Sequence, residues 1–336
     1  MQRINVGVIG VGKMGTLHAR AYSAMEDVTL AAVCDVEQEI RKKTAAKYGA
    51  TPYATFKEML KKESLDAVSI CVPTKFHHRI GMAAINSRVN TLIEKPIASD
   101  VKEADELIKL AKKRSVALMI GHIERFNPAV RLARELIRSN AIGKVITLSA
   151  RRVGPAPPKL VGVDVVLDLA VHDIDVMRYL TGKETIKVYA ESAGSLGAGR
   201  KGAPGNAFIV LKFKNGIIVT IETNWITPKK IRELSITGTD GVIELDYILQ
   251  EVELHKAPAK TSTRNDYSDF LLHYTEGSTE KSIVIKKEPL EEELKHFIGC
   301  VRSGKNPTSS GEDGKRALQI ALQVRKSIKS GKPFAV

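Results

Sequence analysis

The chain has 336 residues, 43% of them apolar, 27% charged and 5% aromatic. This length predicts two domains, and the apolar content excludes a mainly disordered chain. The formal charge of +14 requires anionic partners to be considered, but the basic residues are scattered and do not interleave with aromatic ones, so we predict no nucleic-acid partner.

The first third of the chain alternates strand and helix patterns. Buried strands are predicted at residues 4–9, 28–34, 67–72, 90–93 and 117–120, with helices at 14–25, 37–48, 56–62, 76–86 and 101–113. Such a βαβ series predicts an α/β domain with a doubly wound parallel sheet and right-handed crossovers. We assign residues 1–121 to this domain.

The pattern changes after residue 121. Strand-like segments follow one another at residues 145–152, 186–195, 207–213, 217–224, 231–237, 241–245 and 251–255, and helices are predicted at 128–138, 168–180, 291–302 and 313–329. Short turns between the strands predict a C-terminal α+β domain, residues 122–336, with a large, mainly antiparallel open sheet. Because an open sheet has a face to cover, we expect a homodimer or homotetramer.

Gly10, Gly12 and Gly15 form a G-x-G-x-x-G pattern between the first strand and the first helix. Gly10 permits the tight turn, Gly12 lets the backbone approach a pyrophosphate, and Gly15 allows close packing of helix on strand. Lys13 and Met14 then begin the helix whose N-terminus would bind the phosphates. The alternative is a turn that merely needs glycines. In this context the pattern predicts a Rossmann domain that binds a dinucleotide.

Asp35 follows the second strand and lies 20 residues beyond Gly15. A carboxylate there would accept hydrogen bonds from the adenosine ribose and repel a 2′-phosphate, which favours NAD over NADP. The alternative, a helix N-cap, is compatible with the same role. Arg41 could favour NADP, but it lies within the next helix, so we predict NAD.

Glu94-Lys95-Pro96 follows the fifth strand, at the sheet edge where ligands bind. Pro96 restricts the backbone of Lys95, whose ammonium could stabilise the alkoxide formed from a substrate hydroxyl. A solvated surface lysine is the alternative. Further on, Asp168 and His172 stand four residues apart on a predicted helix, which places them on one face.

His172 is the natural general base of such a site, and Asp168 could orient its ring. A satisfied structural histidine is the main alternative. A metal site is disfavoured because no further ligand cluster completes it, and we predict no metal. The cysteines, Cys34, Cys71 and Cys300, fit a reducing compartment. With neither a signal peptide nor a membrane-spanning apolar run in the sequence, we expect a cytoplasmic protein without a membrane partner.

With these three motifs in this order, residues 4–330 resemble the glucose–fructose oxidoreductase/inositol dehydrogenase family of two-domain dehydrogenases. The resemblance implies that Lys95 and His172 are the catalytic pair and that Asp168 supports them or the substrate. It also implies that Glu94 and Lys95 lie at the cofactor. One departure concerns residues 164–166, Asp-Val-Val, where many members have glycines.

A narrower resemblance joins residues 121–128, 152–155 and 166–180 to UDP-N-acetylglucosamine 3-dehydrogenases. It implies oxidation of the C3 hydroxyl of a sugar nucleotide, a small-molecule substrate that Arg125 and Asn127 could bind. Their alternative role is helix capping and domain packing. The loop at 197–205, with its basic residues at 200 and 201, could clamp a diphosphate or form a solvated hairpin tip.

Two further functions stay open at this point. One is a free-sugar or inositol dehydrogenase of the same family, which would use the same residues. The other is a catalytically silent NAD-binding regulator. The presence of Lys95, Asp168 and His172 together argues against a regulator, because a sensor needs only the glycine turn.

Overall fold

The computed structural model describes residues 3–156, 164–193, 204–256 and 278–336. In chain order the helices and strands are β1 (Ile4–Ile9), α1 (Lys13–Ser23), β2 (Val28–Cys34), α2 (Gln38–Tyr48), β3 (Thr51–Tyr53), α3 (Phe56–Lys62), β4 (Ala67–Ile70), α4 (His77–Asn86), β5 (Asn90–Glu94), α5 (Val101–Arg114), β6 (Leu118–Gly121), α6 (Pro128–Arg138), β7 (Val145–Val153), α7 (Val171–Thr181), β8 (Thr185–Glu191), β9 (Asn206–Phe213), β10 (Ile218–Asn224), β11 (Ile231–Gly238), β12 (Gly241–Asp246), β13 (Glu251–Lys256), β14 (Ser278–Ser282), α8 (Pro289–Ser303), α9 (Gly311–Ser330) and β15 (Phe334–Ala335). Within these ranges, none of the helices has the length and apolar character needed to cross a membrane.

The chain groups into two compact units. The first consists of Met1–Phe126 and Glu288–Gln319, and the second of Asn127–Lys287 and Ile320–Val336. This division differs from the predicted one, which gave all of residues 122–336 to the second domain. The physical reason is the apolar face of α8, which enters the buried core of the first unit together with residues of β1 and β2.

The first unit contains six parallel strands in the order β3-β2-β1-β4-β5-β6, which confirms the predicted doubly wound sheet. All residues of β4 and β6 are buried, as expected for strands covered on both faces. The strand order reverses between β1 and β4. In open α/β sheets this switch point, at the carboxyl ends of the strands, is where ligands bind.

The second unit contains a sheet of nine strands in the order β14-β13-β12-β11-β7-β10-β9-β8-β15. Among the described strands of this sheet, only β7 and β10 pair in parallel, so the predicted mainly antiparallel sheet is confirmed. Helices α6 and α7 pack against it. Burial alternates along β9, which buries Ile209 and Leu211 and leaves Phe208 57% exposed.

Candidate active site

The glycine turn after β1 has the conformation that its sequence predicts. Gly10 has φ +85°, and its amide donates a 2.7 Å hydrogen bond to the Cys34 carbonyl oxygen. A Cβ atom on Gly15 would lie 1.7 Å from the Gly10 carbonyl oxygen, so this position has no room for a side chain. A Cβ on Gly12, by contrast, would have no atom of the described chain within 4 Å. The space above Gly12 is therefore open to a ligand.

Helix α1 points its N-terminus at this open space. It begins at Lys13 directly after Gly12, and its first amides lack carbonyl partners within the helix. Those amides and the positive end of the helix dipole favour an anion. Lys13 is exposed and Met14 half-buried, so the helix start is accessible to a phosphate group.

The Asp35 carboxylate is fixed by two backbone amides at the end of β2. Val11 donates to its Oδ2 atom at 2.8 Å and Glu37 donates to its Oδ1 atom at 2.9 Å. Asp35 is not the N-cap of α2, because that position belongs to Glu37. Arg41 folds back, and its Nη1 atom donates to the Asp35 carbonyl oxygen at 2.6 Å. The Arg41 guanidinium therefore lies beside Asp35, whereas the sequence pattern indicated no role for Arg41 because it belongs to the next helix.

A cleft of about 390 Å³ lies beside Asp35 and the glycine turn. Its walls include Val36, Phe56 and Phe76, which offer apolar surface to a flat base. The Arg79 guanidinium stands 5.6 Å from the ring centroids of both phenylalanines. The sequence did not indicate Phe56, Phe76 or Arg79, because they lie in separate elements and share no spacing. Val36 could have been noticed, because it follows Asp35 directly in the sequence.

The cleft, Asp35 and the glycine turn together fit NAD. The cleft suits the adenine, the Asp35 carboxylate can accept bonds from the ribose hydroxyls, and the open space at Gly12 suits the pyrophosphate. These features belong to one unit and to one edge of its sheet.

Glu94 ends β5 with its carboxylate directed into the first unit. Its Oε1 atom lies 3.0 Å from Nε2 of His18, and its Oε2 atom accepts the backbone amide of Lys95 at 3.2 Å. A Cβ on Gly121 would stand 3.0 Å from this carboxylate, so glycine makes the room for it. Burial raises the pKa of Glu94, but the bond with His18 and the charge of Lys95 outweigh it, and the pKa lies below its ordinary value.

His77 contacts the backbone that follows Lys95. Its Nδ1 atom lies 2.8 Å from the carbonyl oxygen of Pro96, and its Nε2 atom lies 2.7 Å from that of Val72, just after β4. Burial lowers the pKa of His77, although these two carbonyls and the charge of Glu94 act in the opposite direction. Lys95 itself is half-buried. Sequence reasoning missed both His18 and His77.

In the second unit, the helix that carries Asp168 and His172 begins with a π-helical turn, Val166–Ala170, and continues as α7. The predicted helix is therefore present, but its first turn is wider than expected. Such turns occur frequently at functional sites. Asp168 and His172 are both half-buried.

Asp164, in the stretch where the resemblance leads us to expect glycines, fixes the start of this helix. Its Oδ1 atom accepts the amides of Val166 and Leu167 at 3.1 and 3.0 Å, and thereby caps the π-helical turn. Its Oδ2 atom pairs with Nε of Arg325 at 2.7 Å. The side chain of Asp164 is almost fully buried.

Arg125 and Asn127 are engaged within the protein. Arg125 is 4% exposed, pairs with Asp313 at 3.0 Å and donates to the Thr308 carbonyl oxygen at 2.6 Å. Asn127 accepts the amide of Ala129 at the start of α6, and its Nδ2 atom donates to the carbonyl oxygen of a tyrosine further along the chain. These contacts match helix capping and packing, so neither residue enters the function proposed below. The basic loop at 197–203 lies outside the described residues.

A Rossmann unit with this glycine turn, Asp35 and adenine cleft defines an NAD-binding oxidoreductase. Residues 4–122 match a family model described as "Oxidoreductase family, NAD-binding Rossmann fold", and residues 130–244 match the "GFO/IDH/MocA C-terminal domain". The chain is also 30% identical over 334 residues to the myo-inositol 2-dehydrogenase of Thermotoga maritima, which covers 97% of this chain and 96% of that protein. The chain belongs to the GFO/IDH/MocA oxidoreductase family, as its motifs predicted, and its cofactor is NAD.

A second relative is named for a different activity. The UDP-N-acetylglucosamine 3-dehydrogenase of Acidithiobacillus ferrooxidans is 29% identical over 335 residues, covering 98% of this chain and 99% of that protein. Its solved structure matches with a TM-score of 0.85 at 28% identity, over 98% of this chain and 99% of that one.

Proposed function

We propose that this protein is an NAD-dependent dehydrogenase that oxidises the C3 hydroxyl of UDP-N-acetylglucosamine to the 3-keto sugar nucleotide. The main support is the end-to-end similarity to the A. ferrooxidans enzyme of that name in both sequence and structure. The local motifs at residues 121–128 and 166–180 point to the same subgroup.

Oxidation of a free polyol such as myo-inositol is the second candidate. It is favoured by the T. maritima relative, whose identity of 30% is as high as that of the sugar-nucleotide enzyme. Both candidates share one step, the oxidation of a secondary ring hydroxyl. They differ in whether the substrate carries a nucleoside diphosphate.

In the proposed mechanism, His172 and Lys95 act on the substrate oxygen. His172 takes the hydroxyl proton as general base, and the Lys95 ammonium donates a hydrogen bond to the oxygen as its negative charge grows. When bound, NAD accepts the hydride from the substrate carbon, so the alcohol loses one proton and one hydride and becomes a ketone. Asp168 holds the His172 ring or a neighbouring hydroxyl. The reversed assignment, with Lys95 as base, is the alternative.

We also propose that copies of the chain associate through the open face of the nine-stranded sheet. Phe208, Val210 and Tyr189 expose apolar surface there, and an apolar patch on a sheet face favours a partner. A homodimer or homotetramer would cover it. Replacing Phe208 with Lys should lower the mass measured by light scattering, with Lys212→Gln on the same strand as the matched control.

The proposed reaction is tested by following NADH absorbance with UDP-N-acetylglucosamine, UDP-glucose, UDP-N-acetylglucosaminuronate, glucose and myo-inositol in parallel. A ketone trap or a coupled aminotransferase removes the keto product, so that a thermodynamically unfavourable oxidation still proceeds. Turnover confined to the UDP-N-acetyl sugars supports the proposal. Turnover of myo-inositol or glucose supports the second candidate instead. No turnover of any of the five, with NADH binding intact, would contradict the proposed substrate and return the substrate assignment to unknown.

A further inference from the structure

His18 is a buried histidine that forms a specific polar contact with the Glu94 carboxylate. It lies in the middle of α1 with no exposed surface, and its Nε2 atom is 3.0 Å from the Glu94 carboxylate. Taking a carboxylate out of water is costly unless hydrogen-bonding partners replace the water. Those partners are therefore expected to determine how the carboxylate is oriented.

The Glu94 carboxylate connects His18 to Lys95. One of its oxygens faces His18, while the other accepts the backbone amide of Lys95. Gly121 leaves room for the carboxylate but no more, since a Cβ there would stand 3.0 Å away. Without His18, Oε1 would lose its partner, and the carboxylate would be free to turn away from the Lys95 amide.

The residues assigned to the pyrophosphate and the adenosine ribose take no part in this connection, although Glu94 and Lys95 are themselves expected at the cofactor. The glycine turn and Asp35 are fixed by their own hydrogen bonds, to Cys34, Val11 and Glu37. Loss of the bond between His18 and Glu94 should therefore disturb Lys95 more than it disturbs NAD binding.

We propose that His18 is a positioning residue for the reaction: by fixing the Glu94 carboxylate it fixes the backbone of Lys95, and with it the direction of the lysine side chain. This inference rests on the proposed role of Lys95. His18 itself contacts Glu94 and the ring of Tyr22, and Cys71 approaches it from the end of β4.

Two competing roles for this cluster predict different results. If His18 only fills space, an apolar residue of similar volume should replace it well. If His18, Cys71 and Glu94 hold a metal ion, purified protein should contain that metal, since their donor atoms lie within 4.8 Å of one another. Suitable variants of His18 distinguish both roles from positioning.

The test compares His18→Leu with His18→Gln, whose side-chain amide can still donate to Glu94. His78→Gln is the matched control, because His78 forms a comparable 2.8 Å pair with the carboxylate of Glu106 and has no contact with Glu94. We expect His18→Leu to lower kcat by about 10- to 100-fold, the cost of a misplaced catalytic group, with the Kd of NADH unchanged. His18→Gln should recover most of kcat, and His78→Gln should match the wild type.

A double-mutant comparison keeps the inference testable if His18→Leu folds poorly. His18→Asn, whose shorter amide cannot reach Glu94, and Glu94→Ala should each lower kcat, and the double variant should lose no more than Glu94→Ala alone, because the two residues act through one contact. Additive losses would overturn the inference. So would a Leu variant as active as the Gln variant, or bound zinc at one ion per chain that His18→Gln removes.

The readout on Lys95 does not depend on the substrate. If no sugar is turned over, the proposed function fails, and the inference is tested through the NMR signal of ¹³C-dimethylated Lys95, assigned by its loss in Lys95→Arg. That signal should shift in His18→Leu and return in His18→Gln. An identical signal in wild type and both His18 variants would overturn the inference.

Discussion

The two units fix their functional residues by different means. In the first, backbone atoms hold the residues assigned to NAD: two amides fix Asp35, and the Gly10 amide bonds to the Cys34 carbonyl oxygen. In the second, Asp168 and His172 lie on a helix whose opening turn depends on one buried side chain, Asp164. A site built from backbone follows from residue spacing alone, whereas a site built on side-chain packing requires the whole unit.

The largest expected effect distinguishes two glycines of the same turn. Gly15→Ala would place a methyl group 1.7 Å from the Gly10 carbonyl oxygen, so the turn must deform; we expect lower thermal stability and no measurable NADH binding. Gly12→Ala has open space and should unfold near the wild-type temperature, yet bind NADH more weakly. Differential scanning fluorimetry and NADH fluorescence titration measure the two properties. Equal NADH binding by Gly12→Ala and wild type would contradict the assigned phosphate site.

Removing the proposed base tests the second unit. His172→Ala should lower kcat by about 10²- to 10⁴-fold, the usual contribution of a general base, while NADH binding stays at the wild-type level because the cofactor residues belong to the first unit. Steady-state kinetics and NADH titration measure both. His78→Gln serves as the control for a histidine that the proposed mechanism does not use. Wild-type turnover by His172→Ala would show that the base assignment is wrong.

Cofactor choice should depend on Asp35. Asp35→Asn removes the charge that repels a 2′-phosphate, and the nearby Arg41 guanidinium is then available to attract one. We expect the NADH affinity to fall by about tenfold and the preference for NADH over NADPH to narrow or vanish. Titration with both reduced cofactors measures this, with Glu37→Gln as a neighbouring charge control. A preserved preference would mean that shape, not the Asp35 charge, excludes NADPH.

The smallest effect concerns the response of stability to pH. Since burial lowers the pKa of His77 below its ordinary value of 6.5, the unfolded chain binds a proton there before the folded one does. The stability from neutral His77 is thus present above pH 6.5 and is lost as pH falls toward the folded pKa. Wild type should lose more free energy of unfolding than His77→Gln on acidification, by at most about 1.4 kcal/mol per pH unit.

Urea denaturation at several pH values checks this prediction, with the half-buried His78→Gln as the control. The opposite result, a wild type that gains stability relative to His77→Gln on acidification, would show that the carbonyls of Val72 and Pro96 hold His77 in its charged form.

The sequence predicted the parallel sheet, the glycine turn and the position of Asp35, because strands and helices alternate and the ends of β1 and β2 are followed by Gly10 and Asp35. It did not predict the short strands β3, β14 and β15, nor the π-helical turn, whose formation depends on a cap rather than on periodicity. It offered two uses for Arg125, and only its distant partner Asp313 reveals the contact that the side chain makes. His18 could have been noticed because it is the ionisable residue in the otherwise apolar face that α1 buries.

The return of residues 288–319 to the first unit has a consequence for synthesis on the ribosome. Leu290, Leu294 and Phe297 of α8 complete a core that begins with β1, so the part of the protein made first cannot finish folding until nearly the whole chain has emerged. The second unit is also completed late, because it joins residues 127–287 to residues 320–336. Residues 1–126 expressed alone should therefore expose apolar surface, aggregate and depend on chaperones. Fusing α8 to this fragment should increase the yield of folded protein.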